Sequence, residues 1–214
     1  MDTRRAFSKL TIAAMAGTAL SASRVWGAND RIRMGLIGSG GRGREDWGNF
    51  LKQPDVEPVA VCDVYDPFRE LGIKLSEGRA KPYKDFRRVM EQKDIDAVVV
   101  ATPDHWHALI TVAACDAGKD VYCEKPVTHT MEEAAPLITA VHDSKRVVQI
   151  GLQQRSWEHF AQARDLIAAG RLGQVTLIRT YWFQNHIPAN GRVPSFDTAK
   201  LDWKRVVNEK KPNE

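Results

Sequence analysis

The chain has 214 residues, of which 43% are hydrophobic and 27% charged, the composition of a soluble globular protein of one or two domains. Its formal net charge is +4, with no basic stripe that would argue for nucleic-acid binding. Beyond the N-terminal segment, no apolar run is long enough to span a bilayer.

Residues 1–27 read as an address rather than part of the fold. A twin-arginine motif, Thr3 to Lys9 with Arg4 and Arg5 at its centre, precedes a short apolar stretch at residues 10–20. Val25, Trp26 and Gly27 follow with the small final residue a signal peptidase needs. The expectation is export by the twin-arginine pathway to the periplasm, with the protein folded and its cofactor loaded beforehand. The segment holds four basic residues (Arg4, Arg5, Lys9, Arg24) and one acid (Asp2). The rest of the chain therefore has 27 basic and 26 acidic residues, a net of +1.

Ile32, Met34 and Leu36 alternate with other residues just before a glycine cluster, the pattern of a short buried strand entering a turn. Gly38, Gly40 and Gly43 have the spacing G-x-G-x-x-G, and Trp47, Phe50 and Leu51 follow at helical intervals. Strand, glycine turn and helix in that order are the context of a dinucleotide fingerprint. Gly38 allows the turn, Gly40 lets backbone approach a pyrophosphate, and Gly43 lets helix pack on strand. The first N–H groups of the helix then face the phosphates, so Gly41 and Arg42 are counted with the cofactor-binding residues. A second apolar run ends in Asp63, twenty positions past Gly43. A carboxylate there accepts the ribose hydroxyls of NAD and repels a 2′-phosphate. NAD is therefore favoured over NADP, although Arg69 lies close enough in sequence to leave room for the latter.

Asp66 and Pro67 read as cap and first residue of a helix running to about residue 75. A polar loop is expected at 76–82 and a short helix at 85–92. Residues 97–101 form an unbroken apolar run, as in a strand buried on both faces. Asp104 caps a helix through residue 117, stopped by Gly118. Strands follow at 121–123 and 147–150, with a capping box from Thr130 to Glu133 opening the helix between them. This alternation predicts an α/β fold with a doubly wound parallel sheet. A helix is expected at 158–169. Residues 174–184 alternate as a half-buried strand, the expected start of an incomplete α+β second domain. The expected organisation is signal peptide 1–27, nucleotide-binding domain 28–152 and second domain 153–214. Cys62, Cys115 and Cys123 read as small buried hydrophobes.

Ligands of open α/β sheets bind beyond the C-terminal ends of the strands. Two polar segments fall there: Thr102, Pro103, Asp104 and His107 after one strand, and Glu124, Lys125 and Pro126 after the next. His105 and His107 are two apart on a helix, do not share a face, and make a poor zinc pair, so no metal is expected. Trp106 and Trp157 read as packing residues.

The fingerprint, the Thr-Pro-Asp-x-x-His pattern and Glu-Lys-Pro together resemble the Gfo/Idh/MocA oxidoreductases over roughly residues 31–185. The resemblance implies hydride transfer between a sugar or polyol carbinol and nicotinamide. Lys125 would touch the nicotinamide ribose and the substrate hydroxyl and relay its proton. Glu124 would contact the same ribose; Thr102, Pro103 and His107 would border the cofactor; Arg155 would lie near the nicotinamide. A cis bond before Pro126 is expected. The residues agree for Lys125, because the hydroxyl proton needs an acceptor with a pKa near working pH.

The chain departs from the family's pattern in length. Only 59 residues follow Arg155, and none shows the Gly-rich segment with Asp and His that completes the family's active site. Leu201, Asp202 and Trp203 resemble the chain shortly before it. The expectations are a truncated product that binds NAD and turns over weakly, and a homo-oligomer that covers the second-domain strand. An NAD-dependent glycosidase of the same fold and a non-catalytic cofactor-binding remnant are the alternatives.

Overall fold

A computed structural model of the chain describes residues 31–181 and 197–202. The twin-arginine segment and the loop-like stretch around Pro188 to Pro194 lie outside them. Strands and helices alternate: β1 (Ile32–Ile37), α1 (Gly41–Phe50), β2 (Val56–Cys62), α2 (Asp66–Leu75), β3 (Lys81–Tyr83) and α3 (Phe86–Met90). Then come β4 (Ala97–Val100), α4 (His107–Asp116), β5 (Asp120–Glu124), α5 (Ala134–Ser144), β6 (Val148–Gly151) and α6 (Glu158–Ala168).

The strands form one six-stranded sheet in the order β3-β2-β1-β4-β5-β6. Every pairing in it is parallel. From β1 the chain winds outward to β2 and β3, then returns to β4 on the other side. The direction of winding therefore reverses between β1 and β4, which opens a crevice at their C-terminal ends.

Side chains alternate across the sheet, so one strand feeds two cores. Ile37, Cys62, Val98, Val100 and Cys123 pack on one face with Ile110, Ala114 and Cys115 of α4 and Val89 of α3. Met34, Leu36, Val61 and Val99 pack on the other with Trp47 of α1. Each fully buried side chain of this size contributes roughly 1.5–3 kcal/mol. This is the doubly wound sheet the sequence predicts. The three cysteines are buried and form no disulfide. Among the described residues no helix is long and apolar enough to cross a membrane.

The structure corrects several details. The loop expected at 76–82 contains most of β3, whose pairing to β2 runs through Ala60, Val61 and Cys62. Three residues with Pro82 at the centre give no alternation to read, and Pro is tolerated because β3 is an edge strand. Asp66 is not the cap of α2 but its first helical residue; Tyr65 takes the cap position and Pro67 falls in the first turn. The helix expected from Asp104 opens as a 3-10 turn, Asp104–Trp106, before α4 begins at His107.

The strand expected at 174–184 does not form over 174–181, and residues 182–184 lie outside the described set. Leu177, Ile178 and Tyr181 are exposed there. An amphipathic strand gains little without a neighbour to pair its backbone, and among the described residues no strand pairs with it. Leu201 instead forms an isolated antiparallel bridge with Tyr65.

Candidate active site

The register explains why scattered residues meet. Ile37 lies opposite both Cys62 and Val100, and Val100 opposite Cys123. The next residues of each strand, Gly38, Asp63, Ala101 and Glu124, therefore emerge along one edge of the sheet.

At the centre is the glycine turn. Gly38 has φ +88°, and a side chain there would put its Cβ 2.5 Å from the Thr102 backbone nitrogen. A Cβ on Gly43 would collide with the Gly38 carbonyl oxygen. These two glycines are required by the protein's own packing. Gly40 and Gly41 differ: a Cβ on either would meet nothing within 4 Å. The space over them is open, above the N-terminus of α1, where no side chain caps the first N–H groups and no acid sits in the first turn. Unsatisfied donors and the positive end of the helix dipole make this an anion seat.

Asp63 sits beside it, half-buried. Its Oδ2 accepts from the Ser39 backbone N–H at 2.6 Å, and its Oδ1 from the Tyr65 N–H at 2.8 Å. Burial raises its pKa; the N–H groups of Tyr65 and Ser39, then Arg69 and Arg44, oppose that rise. Each oxygen keeps a lone pair for a ribose hydroxyl. Arg69, which the sequence leaves available to a 2′-phosphate, is tied to the Asp63 carbonyl at 3.0 Å and to Asp66 at 2.7 Å.

A cleft open at its mouth begins at Gly38 and Asp63 and runs between Phe86, Pro103, Trp106 and Ile110. Its walls are mainly apolar, suited to a purine ring. The Ser39 and Thr102 hydroxyls are buried nearby without a hydrogen-bond partner. An open anion seat, a half-buried carboxylate with lone pairs to spare, an apolar slot and two orphaned hydroxyls together fit a dinucleotide.

On the other side of the crevice stand the residues after β4 and β5. His107 is 2% exposed; its Nδ1 is 2.7 Å from the Pro126 carbonyl oxygen and its Nε2 2.8 Å from that of Thr102. It therefore ties the two segments together from beneath. The Lys125–Pro126 bond is cis, as expected. The Lys125 side chain is exposed at the sheet edge, and Arg155 is exposed on the 3-10 turn Gln153–Ser156 after β6.

Arg42 is counted with the seat for its backbone N–H; its side chain does not extend toward the anion seat. Its Nε donates to Glu124 Oε1 at 3.1 Å, its Nη2 to Asp46 at 2.5 Å, and its Nη1 pairs with Glu45 at 3.0 Å. Glu124, 3% exposed, spends its other oxygen on the Lys125 backbone N–H at 3.2 Å. Asp46 was missed altogether: it is 4% exposed, and burial lifts its pKa to about 6. Its one legible signal is its place four residues after Arg42 and next to the core residue Trp47. Trp106 packs against Phe86 as expected, whereas Trp157 is 53% exposed and no packing residue in the described part of the chain.

Comparison with known proteins agrees with this geometry. The model of the Gfo/Idh/MocA oxidoreductase family, NAD-binding Rossmann fold, matches residues 32–152. The chain is 28% identical over 180 residues to inositol 2-dehydrogenase of Salmonella typhimurium, covering 83% of this chain and 52% of that protein. It is 30% identical over 198 residues to levoglucosan dehydrogenase of Pseudarthrobacter phenanthrenivorans, covering 82% and 51%. The structure of myo-inositol dehydrogenase from Lactobacillus casei in complex with NAD(H) and myo-inositol superimposes with a TM-score of 0.62 at 28% identity. That match covers 67% of this chain and 43% of the other. The chain thus spans about half the length of the curated relatives it matches. With a parallel sheet in Rossmann order, a glycine turn over an open anion seat and a family match across the whole sheet, the chain belongs to the Gfo/Idh/MocA oxidoreductases and carries their NAD-binding fold.

Proposed function

We propose that this chain supplies the nucleotide-binding half of an exported, NAD-dependent dehydrogenase acting on a sugar or polyol. The observation that supports the reading is the exposed Lys125 at the C-terminal end of β5, on a turn tied by His107 to the segment after β4, in the same sheet whose β1 leads to the open space over Gly40. NAD⁺, when bound, supplies the hydride acceptor. The chain's own residues bind and orient it. Donors at the start of α1 hold the pyrophosphate, and Asp63 accepts the ribose hydroxyls of the adenosine half. In its neutral amine form, Lys125 takes the proton that leaves the substrate hydroxyl as the carbinol carbon is oxidised. Arg155, on the turn after β6, is proposed near the same end. The named relatives, an inositol and a levoglucosan dehydrogenase, support a polyhydroxylated substrate.

The boundary near residue 152 belongs to this proposal: the sheet closes with β6 at Gly151, and the chain beyond begins a second, substrate-facing domain. Oligomerisation through that domain is part of the same reading, and light scattering of the purified chain tests it. Export rests on Arg4 and Arg5. Arg4→Lys/Arg5→Lys is expected to leave the protein in the cytoplasm; unchanged periplasmic recovery would refute export by the twin-arginine route.

The test of function is absorbance at 340 nm with NAD⁺ and myo-inositol or levoglucosan, alongside the Lys125→Met variant. Reduction of NAD⁺ that falls about 100-fold or more in the variant is expected. Equal rates in the two proteins would remove Lys125 from the reaction. Product analysis with an aryl glycoside separates this reading from a glycosidase of the same fold.

A further inference from the structure

Arg42 lies inside the glycine fingerprint, yet each of its nitrogen groups is committed to an acceptor of the protein itself. Nε faces Glu124, Nη2 faces Asp46, and Nη1 faces Glu45. The Gln153 amide, turned so that its nitrogen donates to the Gly151 carbonyl at 2.7 Å, offers its oxygen to Nη2 at 2.9 Å. A pyrophosphate would have to displace two buried carboxylates to reach this guanidinium. The side chain is therefore not spare charge for the cofactor.

Its partners explain what it does instead. Glu124 and Asp46 come from different elements, β5 and α1, and both are almost fully buried. Without a cation between them, two such acids could not both remain ionised. With Arg42 between them, Glu124 is fixed, and its second oxygen holds the Lys125 backbone N–H. The close approach of β6 reinforces this: a side chain at Gly151 would strike Glu124 Oε1 at 2.5 Å, so β6 also closes over the carboxylate.

We propose that Arg42 and Asp46 are positioning residues for Lys125, forming with Glu124 a buried carboxylate–guanidinium–carboxylate lock between the nucleotide-binding helix and the Glu124-Lys125-Pro126 turn. The proposal rests on the NAD-dependent reading of the site. The lock couples the two halves of the cofactor cleft: α1, which seats the pyrophosphate, sets where the nicotinamide-side lysine stands. Asp46 Oδ2 is buried without a hydrogen-bond partner. A proton on that oxygen gives it a donor for the neighbouring Glu124 carboxylate. The charged and titratable groups around Asp46 are Arg42 and Glu45 on its own helix and Glu124 and Tyr122 on β5, with the neutral Gln153 on the turn after β6.

The test separates the nicotinamide half of the cofactor from the phosphate half. The 214-residue chain is titrated with NADH by fluorescence and with ADP by calorimetry, in wild type, Arg42→Gln, Arg42→Lys and the double variant Arg42→Gln/Asp46→Asn. Circular dichroism confirms that each is folded, and Arg42→Lys, which keeps one charge, serves if Arg42→Gln does not fold. The lock predicts that Arg42→Gln weakens NADH about tenfold while ADP changes by less than about twofold. It predicts that the double variant stays weakened for NADH, because Glu124 has lost the guanidinium that fixes it; full recovery of NADH affinity would assign the effect to charge repulsion alone and overturn the lock. Equal weakening of NADH and ADP, or no effect on either, overturns the lock while leaving the cofactor reading intact. Wild-type protein that binds neither nucleotide overturns both.

Discussion

The glycines of the fingerprint divide into two kinds, and mutagenesis can tell them apart. Gly43 has no room for a Cβ against the Gly38 carbonyl, whereas Gly40 has only open space above it. Gly43→Ala is expected to cost about 3 kcal/mol of stability, seen as a fall in urea midpoint. Gly40→Ala is expected to leave stability within about 1 kcal/mol and to weaken NADH about tenfold or more. The sequence motif alone gives both glycines the same importance; only the surrounding backbone shows that Gly43 is required by the protein's own packing while Gly40 has open space above it. Asp46 makes a second prediction at this scale. Its folded pKa of about 6 lies above the usual carboxylate value, because burial disfavours the charge. The folded state thus holds this proton more tightly than the unfolded chain. The associated stability is fully present below about pH 4 and is lost as pH rises through 6. Asp46→Asn should remove that fall, up to about 3 kcal/mol, in denaturation curves measured from pH 4 to 8. A wild-type curve with no step near pH 6 that differs from the variant would contradict the burial argument.

At the scale of elements, the legible parts were those whose pattern needs no partner to interpret. β1 and β4 announce themselves by apolar alternation and by a fully apolar run, and α4 by its stop at Gly118, whose φ is +73°. β3 was illegible because three residues around a proline are defined only by pairing to β2. Residues 174–181 failed in the opposite sense: the alternation is present, but a strand is a property of two segments, and no strand pairs with it in the described part of the chain. The same logic applies to the site. Gly38, Gly40, Gly43 and Asp63 could be placed from spacing, whereas the direction of Arg42 and Glu124 depends on Asp46, whose burial no linear motif records. The central strands carry the stability. Leu36→Ala, at a side chain with 0% exposure, should cost about 2–5 kcal/mol and lower the melting temperature without altering the residues that face the cofactor.

For the whole molecule, the sheet organises two cores and one crevice, and the crevice collects residues from the ends of four strands that are adjacent in space and distant in sequence. The chain spans about half the length of the curated relatives it matches. The central claim is that the turn at residues 38–43 seats a pyrophosphate while Asp63 holds the adenosine ribose. It is tested most directly by calorimetric titration of the chain with NADH, repeated with Asp63→Ala. The account predicts one saturable site in the wild type and an affinity lower by roughly 10- to 100-fold in the variant. No heat of binding from the wild type, or equal affinity in both proteins, would contradict it.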